Sequence, residues 1–378
     1  MVALRVAVVS PVWYPVPPDG YGGTERIVSL LVEGLVAAGE DVTLFASGDS
    51  RTSARLEATV PAAPSARIGE VEPELLHALA CLERAHEFDL VHDHSGPLAA
   101  ALLARSGAPV LHTVHGPLTG ANGELYRRLA RCGGDLRLIA LGPGQQRALP
   151  EAPWHGVCPN AVDVTLYPFH AGHDDYLAFL GRFGDDKGAH RAIEVARTLG
   201  LELRIGAKCR EPEERAYFER HVRPHLGSGV EYLGELSHGE KVELLGRARA
   251  LLFPIDWDEP FGLVMVEAMA CGTPVIATRR GSVPEVLEHG RTGVLVEDHR
   301  EMPRALEQAD ALDPFELRLV AVDRFSPERM VAAYLRLYAS ALAGDAGGRH
   351  AGLAVPGPAR SVPPARLAET PFRRAGRG

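Results

Sequence analysis

The strongest constraint on the fold is a long alternation of short apolar runs with amphipathic segments. The apolar run at 4–9 is followed by a helical pattern over 24–38, and a second apolar run begins at Asp41. Strands that alternate with helices form parallel sheets, and continuous apolar strands are typical of sheets covered on both faces. The alternation therefore predicts the α/β class. It excludes a solenoid, because no short repeat of fixed length is present.

Further apolar runs define the predicted strands and the domain organisation. These runs are 41–46, 90–92, 110–114, 136–141, 177–181, 201–205, 230–233, 250–254, 274–278 and 293–296. The alternation pauses near 159–168 and then restarts, so we expect two doubly wound domains, 1–165 and 170–322, that face each other across a cleft. A last helix within 323–343 is expected to pack back toward the first domain. Residues 344–378 are expected to form a disordered basic tail.

Composition narrows the functional classes. The 378 residues are 46% hydrophobic and 24% charged, which is ordinary for a globular protein, and the net charge is −9. An acidic chain binds nucleic acid poorly, because phosphate contacts dominate that affinity. No apolar stretch approaches the roughly 18 residues of a membrane span, although the basic tail leaves contact with a membrane surface open. The five cysteines are scattered, which favours reduced thiols in a cytoplasmic protein over a zinc site or disulfides.

The most informative segment is 258–277, Asp-Glu-Pro-Phe-Gly-Leu-Val-Met-Val-Glu-Ala-Met-Ala-Cys-Gly-Thr-Pro-Val-Ile-Ala. A helix is expected to begin near Pro260 and to end at Gly272. Glu267 lies among apolar residues of this helix, where a buried carboxylate requires a partner. Glu259 would lie about 12 Å away along the axis, which is too wide for a glycoside-hydrolase pair. The spacing suits two hydroxyl-rich parts of one elongated ligand, with a phosphate group between them at the helix N-terminus.

Two loops add candidate anion contacts. In Gly181-Arg-Phe-Gly-Asp-Asp-Lys-Gly188, Arg182 and Lys187 follow a strand end, where a cationic pair can clamp a diphosphate. In the loop before the first helix, Gly22 and Gly23 permit close approach of the backbone to a ligand. Neither loop matches a P-loop or a G-x-G-x-x-G fingerprint, and no acidic residue ends the second strand. A nicotinamide dehydrogenase is therefore disfavoured.

Four histidines lie at or just past the ends of two predicted strands and could face one cleft. His92 and His94 lie at the end of one strand, and His112 and His115 lie at the end of the next. Imidazoles are good metal ligands, so these histidines have the chemistry to bind a metal ion. We interpret the first three as packing residues, and we expect His115, which precedes a glycine, to contact substrate.

One acidic motif is explained by local structure alone. The sequence Ser282-Val-Pro-Glu285 has the pattern of a capping box. We therefore expect Glu285 to cap a helix rather than to contact a ligand.

Taken together, these motifs resemble glycosyltransferase family 4. The resemblance rests on Gly-Arg…Lys-Gly at 181–188 and on Glu-Pro-Phe-Gly-Leu-x-x-x-Glu-Ala-Met-Ala-x-Gly-x-Pro-Val from Glu259. It is supported by the Gly-Gly loop, a His-Gly pair after a central strand and Pro-Asn-x-Val-Asp at 159–163, and it extends to about residue 343. The chain departs from the family pattern at Asn160-Ala-Val-Asp and at Gly142-Pro, which leaves the donor motif intact and bears on the acceptor. A weaker likeness connects it with pterin glucosyltransferases and antibiotic-pathway enzymes.

The resemblance implies the GT-B fold, with two Rossmann-like domains, and a retaining transfer of a hexose that needs neither metal nor cofactor. The implied donor is a UDP-glucose-like nucleotide sugar, and the implied acceptor is a small molecule, a lipid or a glycan. The resemblance implies catalytic roles for Glu259, His115, Arg182 and Lys187. It implies donor binding by Gly22, Gly23, Arg182, Lys187, Phe261, Gly262, Leu263 and Glu267, with the cations on the diphosphate and Glu267 on the ribose.

Two other classes share parts of this pattern. A GT-B-like sugar-nucleotide epimerase or hydrolase would release UDP and a sugar without an acceptor. A non-catalytic nucleotide-sugar binder would bind donor without turnover. A thermal-shift panel of UDP-, GDP- and ADP-sugars, followed by donor hydrolysis assays, separates these classes from a transferase.

Overall fold

The computed structural model describes residues 3–132 and 135–343, and it contains two parallel sheets with helices on both faces of each. The predicted α/β class with two doubly wound sheets is confirmed. The expectation of a disordered tail at 344–378 lies outside the described residues.

The first sheet has seven strands in the order β3-β2-β1-β4-β5-β6-β7. Its strands are β1 Arg5–Val9, β2 Asp41–Ser47, β3 Arg55–Val60, β4 Leu90–Asp93, β5 Val110–Thr113, β6 Leu136–Ala140 and β7 Trp154–Val157. Its helices are α1 Gly23–Ala37, α2 Val71–Arg84, α3 Pro97–Leu103, α4 Gly120–Cys132 and α5 Pro143–Ala148. The strand order reverses between β1 and β4, so the loops after these two strands diverge and open a crevice at the carboxyl edge.

The second sheet has six strands in the order β10-β9-β8-β11-β12-β13. Its strands are β8 Tyr176–Arg182, β9 Glu202–Lys208, β10 Val230–Gly234, β11 Ala250–Phe253, β12 Val275–Thr278 and β13 Gly293–Val296. Its helices are α6 Ala189–Leu199, α7 Pro212–Tyr217, α8 His238–Arg247, α9 Leu263–Cys271, α10 Val283–Val286, α11 Met302–Asp310 and α12 Pro314–Phe325. The order reverses again between β8 and β11, which places a second crevice beside the loops that carry the conspicuous motifs.

Helix α9 is apolar on all sides because it is covered on all sides. Residues 265–271 of α9 are buried, and α9 packs against α12, α8 and the strands β11 and β12. A surface helix would show only one apolar stripe, so this sequence is compatible only with a fully enclosed helix. A charged residue inside it, Glu267, is therefore forced into the interior.

The last helix, α13 Pro327–Leu342, packs against the first sheet rather than the second. Its buried stripe includes Met330, Tyr334, Leu337 and Tyr338, which join the same apolar cluster as α1 and β1. The Tyr338 hydroxyl lies 2.7 Å from the His92 imidazole, and the Tyr334 hydroxyl lies 3.1 Å from Thr113. The C-terminal end of the described chain is thus anchored beside the central strands of the first sheet.

Two strands were not predicted, and one helix start was placed too early. The edge strands β3 and β7 are half exposed and carry Arg55, Glu57 and Gly156, so neither shows an apolar run. Helix α9 begins at Leu263 rather than near Pro260, because Gly262 takes the left-handed conformation with φ of 77° at the N-cap. Within residues 3–132 and 135–343, no helix is both long and apolar enough to cross a membrane.

Candidate active site

The loop after β8 brings the two predicted phosphate cations to the carboxyl edge of the second sheet. Arg182 is the last residue of β8, and its guanidinium forms an ion pair with Asp186 in the same loop. The backbone of Asp186 accepts a hydrogen bond of 2.9 Å from the amide of Asp256. The loop that carries Arg182 and Lys187 is thus fixed against the loop that leads to Glu259.

Lys187 and Glu259 meet although 72 residues separate them. The Lys187 ammonium pairs with Glu259 Oε2, which also accepts a 3.1 Å hydrogen bond from the Trp257 indole. The ammonium lies 4.5 Å from the centre of the Trp257 ring. Both charged side chains are largely buried, so the pair is held in a region where charges interact more strongly than in water.

The start of α9 presents backbone amides to the same region. Gly262 occupies the left-handed region that disfavours side chains, and it precedes the first turn of the helix. Phe261 is buried and packs edge-on against Phe325 at 5.7 Å, so its ring belongs to the core. Leu263 is half buried. The amides at the start of this helix form a positive helix end next to Glu259.

The Gly-Gly loop of the first half lies opposite that helix end. Gly22 has φ of 146° and precedes α1, and a β-carbon placed at Gly23 would lie 3.4 Å from Leu263 Cδ1. The N-termini of α1 and α9 therefore approach each other across the cleft. Two positive helix ends facing one space favour an anion between them.

Glu267 lies deeper in the second half and has two partners that the sequence did not reveal. Its Oε1 accepts a 2.8 Å hydrogen bond from the Tyr167 hydroxyl and pairs with the Lys241 ammonium. Burial alone would raise the pKa of Glu267, but the Lys241 charge, its hydrogen bond and the Tyr167 hydroxyl hold that pKa below its ordinary value. The carboxylate is thus kept ionised and oriented by contacts to one of its two oxygens.

A second carboxyl that the sequence analysis missed is Glu25, in the first turn of α1. It is only 4% exposed, and one of its oxygens lies about 3.1 Å from the position of a β-carbon at Gly22. Burial raises its pKa to about 8. Burial therefore favours the neutral form of a carboxyl at the Gly-Gly loop. The only signal in the sequence was an acidic residue two positions after the Gly22–Gly23 pair.

The four predicted histidines form hydrogen-bonded groups at the carboxyl ends of β4 and β5. His92 bonds Tyr338 and Thr113, and His94 bonds His115 at 2.9 Å. In a separate group, His112 bonds Asp93 at 2.5 Å and Tyr126 at 2.7 Å. His92, His94 and His112 are buried and have protein partners, as packing residues do. His115 is half buried at the end of this chain of imidazoles.

Burial keeps three of these imidazoles neutral, which predicts acid sensitivity. Burial lowers the pKa values of His92 and His94 well below the ordinary value and that of His115 to about 3. The unfolded chain binds these protons as the pH falls below about 6.5, so the free energy of unfolding should fall by up to ~1.4 kcal/mol per pH unit for each histidine. Denaturant unfolding of wild type between pH 7.5 and 5 measures that slope.

Substitution of one member of the group tests the assignment. The His94→Gln variant should show a slope smaller by one proton below pH 6.5. His173→Gln, at an exposed position, is the control. An identical pH dependence of the His94→Gln variant and wild type would contradict the assignment.

The interpretation of Glu285 as a helix cap is wrong. The Ser282 side chain makes no capping hydrogen bond to α10. The Glu285 carboxylate instead lies against the backbone of Gly142 and Gly144 in the first half, and it pairs with Arg147 at 2.8 Å. The absence of a β-carbon at Gly142 makes this approach possible. The residue thus joins the two halves on the side of the cleft that carries Gly142-Pro143.

Both halves of the chain match family models of glycosyltransferases. A family model described as Glycosyltransferase Family 4 matches residues 21–166, and one described as Glycosyl transferases group 1 matches residues 168–313. The chain is similar to a D-inositol 3-phosphate glycosyltransferase of Arthrobacter sp. (strain FB24), with 26% identity over 80% of this chain and 84% of the relative.

Solved structures share the architecture. The chain resembles AviGT4, a glycosyltransferase involved in avilamycin A biosynthesis, with a TM-score of 0.66, 28% identity and coverage of 90% of this chain and 98% of the other. It also resembles the Anabaena protein HepE in complex with UDP-glucose, with a TM-score of 0.69, 18% identity and coverage of 89% and 100%. At that lower identity the likeness concerns the fold, which is that of the GT-B enzymes.

Proposed function

Since this chain belongs to glycosyltransferase family 4, we propose that it transfers a hexose from a nucleotide-diphosphate sugar to an acceptor, with retention of configuration. The enzyme class, a glycosyltransferase of the GT-B fold, is the premise. The donor, the stereochemistry and the acceptor are the proposal. The acceptor is a small molecule, a lipid or a glycan.

One observation carries the proposal for the donor. Arg182, the Lys187–Glu259 pair and the N-terminus of α9 lie around the carboxyl ends of β8 and β11, and the N-terminus of α1 faces them. Cations and two positive helix ends around one space match a diphosphate. A carboxylate beside them matches the hydroxyl groups of the attached sugar.

The proposed roles follow from charge. Breaking the bond between the sugar anomeric carbon and the phosphate oxygen builds positive charge on the sugar and negative charge on the leaving diphosphate. Arg182 and Lys187 would stabilise that negative charge, which is larger in the transition state than in the ground state. The Oε2 oxygen of Glu267 would accept hydrogen bonds from the ribose hydroxyls, and Glu259 would accept hydrogen bonds from the sugar. His115, neutral at physiological pH, would contact the transferred sugar.

Donor identity is tested directly with the panel of UDP-, GDP- and ADP-sugars. We propose a UDP-glucose-like donor, supported by the fold that the chain shares with a UDP-glucose complex. A rise in melting temperature with UDP-glucose, followed by transfer to an acceptor, supports the proposal. Release of free sugar at the full rate without an acceptor would instead favour a hydrolase or epimerase. Proton NMR of the product distinguishes retention from inversion.

The transfer is proposed to need no divalent cation, because Arg182 and Lys187 already supply the positive charge for the leaving group. Protein treated with EDTA should therefore keep its transfer rate within about twofold. The rate is measured as nucleotide release before and after EDTA, and again after addition of Mg²⁺ or Mn²⁺. A loss of activity that only these ions restore would contradict the proposal.

A further inference from the structure

The lysines of this chain share an unusual environment. Only three lysines, Lys187, Lys208 and Lys241, stand among 40 lysines and arginines. Their side chains are 17%, 7% and 14% exposed, and each ammonium pairs with a carboxylate. Each also lies near the face of an aromatic ring, at 4.5, 4.9 and 5.4 Å from its centre. The other 37 of these 40 residues are arginines, whose planar guanidinium differs from the compact ammonium of lysine.

Two of the three lysines already have a place in the proposed site, because they pair with Glu259 and Glu267. Lys208 does not. It is the last residue of β9, and its ammonium pairs with Glu211 at 2.6 Å and with Glu214 at 3.2 Å. Its aromatic neighbour is Tyr21, which belongs to the other half of the molecule. Of the three lysine–aromatic contacts, this one connects a strand end of the second half with the Gly-Gly loop of the first.

The backbone of the Gly-Gly loop makes a further contact with the second half, through Glu235. The Tyr21 amide donates a 3.2 Å hydrogen bond to Glu235 Oε1. Glu235 is fixed in turn by two hydrogen bonds of 2.7 and 2.8 Å from the Arg210 guanidinium. A β-carbon at Gly20 would lie only about 3.1 Å from the same carboxylate oxygen. The loop therefore rests on the ends of β9 and β10 directly before it reaches Gly22.

We propose that Lys208 is a positioning residue that holds Tyr21, and through it the Gly22–Gly23 amides, over the site of the donor diphosphate. This inference rests on the proposed function, which places the diphosphate between α1 and α9. Tyr21 exposes 40% of its surface, and within the first half its ring makes an edge-on contact of 5.9 Å with Tyr14. The attraction between the ammonium and the ring face and the Glu235 hydrogen bond add two contacts from the second half. Loss of either partner should release the loop and weaken donor binding.

Variants of Tyr21 test the proposal without disturbing the buried carboxylates around Lys208. Tyr21→Leu removes the ring and should weaken nucleotide-sugar affinity about tenfold and raise the donor KM similarly, with a smaller change in kcat. Tyr21→Phe keeps the ring and should bind like wild type. Lys208→Met, which also leaves Glu211 and Glu214 without their cation, should weaken binding at least as much as Tyr21→Leu. The double variant should be no weaker than Lys208→Met.

Arg204→Met is the matched control. Arg204 lies on the same strand, with its guanidinium 4.0 Å from the centre of the Tyr176 ring, at the end remote from the cleft. The Arg204→Met variant should leave donor affinity unchanged. Affinity is measured by calorimetry with the nucleotide sugar that the panel selects.

Wild-type donor affinity in Tyr21→Leu would overturn the proposed role of Lys208, and so would a loss of affinity in Arg204→Met as large as that in Tyr21→Leu. Either result would leave the proposed function intact. Absence of nucleotide-sugar binding by the wild-type protein would overturn the proposed function and this role with it.

Discussion

Replacing Lys187 with methionine is expected to lower kcat by about 10²–10³-fold, the range found when one preorganised donor to a developing negative charge is removed. The expectation follows from the position of the ammonium, which is 17% exposed and held by Glu259 and the Trp257 ring. A charge fixed in a poorly hydrated site stabilises a leaving diphosphate without reorganisation. The affinity for the nucleotide sugar should fall less than kcat, because the diphosphate carries less charge before the bond breaks.

Arg182→Met should have a similar but smaller effect. The Arg182 guanidinium is 34% exposed and pairs with Asp186, which is 26% exposed, so water screens it more than Lys187. The matched control is Arg197→Met, an exposed cation on α6, the helix that follows the same loop. The kcat values and donor affinities of all three variants are compared with those of wild type. Losses in kcat below tenfold for both Lys187→Met and Arg182→Met would contradict their assignment to the leaving group.

The fold could be predicted from the sequence because its central strands are covered on both faces. Strands such as β11 and β13 are buried at every residue, so each appears as an unbroken apolar run. The edge strands β3 and β7 are not covered, and they were missed for that reason. The start of α9 was misplaced because the local sequence after Pro260 does not reveal that Gly262 adopts a left-handed conformation.

The candidate site was predictable only where its residues lie in compact motifs. Arg182, Lys187, Glu259 and Glu267 belong to short motifs that can be read from the sequence. The partners of the last three come from distant parts of the chain, so only the tertiary structure reveals them. Tyr167 lies 100 residues from Glu267 along the chain, and the contact between Arg147 and Glu285 spans 138 residues. For Glu285 the local capping pattern favoured the wrong interpretation.

Glu267 and Lys241 should behave as a unit in stability but not in nucleotide binding. Breaking a buried ion pair by removing one partner costs about 3–5 kcal/mol, because the other charge stays buried without compensation. Glu267→Gln and Lys241→Met should therefore each lower the melting temperature by several degrees. The double variant replaces both charges and should recover most of that loss. Arg247→Met is the control, because Arg247 lies on α8 like Lys241 but forms an exposed ion pair, with Asp174. This variant should change the free energy of unfolding by less than about 1 kcal/mol.

Nucleotide affinity should not recover in the double variant, because the ribose would lose its charged acceptor. A hydrogen bond to a charged group contributes about 1.5–3 kcal/mol, so Glu267→Gln and the double variant should both bind the free nucleoside diphosphate about tenfold to a hundredfold more weakly than wild type. Glu259→Gln should leave that affinity almost unchanged and reduce turnover of the complete donor, since its proposed contact is the sugar. Calorimetric titration of the nucleoside diphosphate into each variant measures the difference. Wild-type affinity in a stable double variant would show that Glu267 does not contact the ribose. A loss of affinity in Glu259→Gln alone would reverse the two assignments.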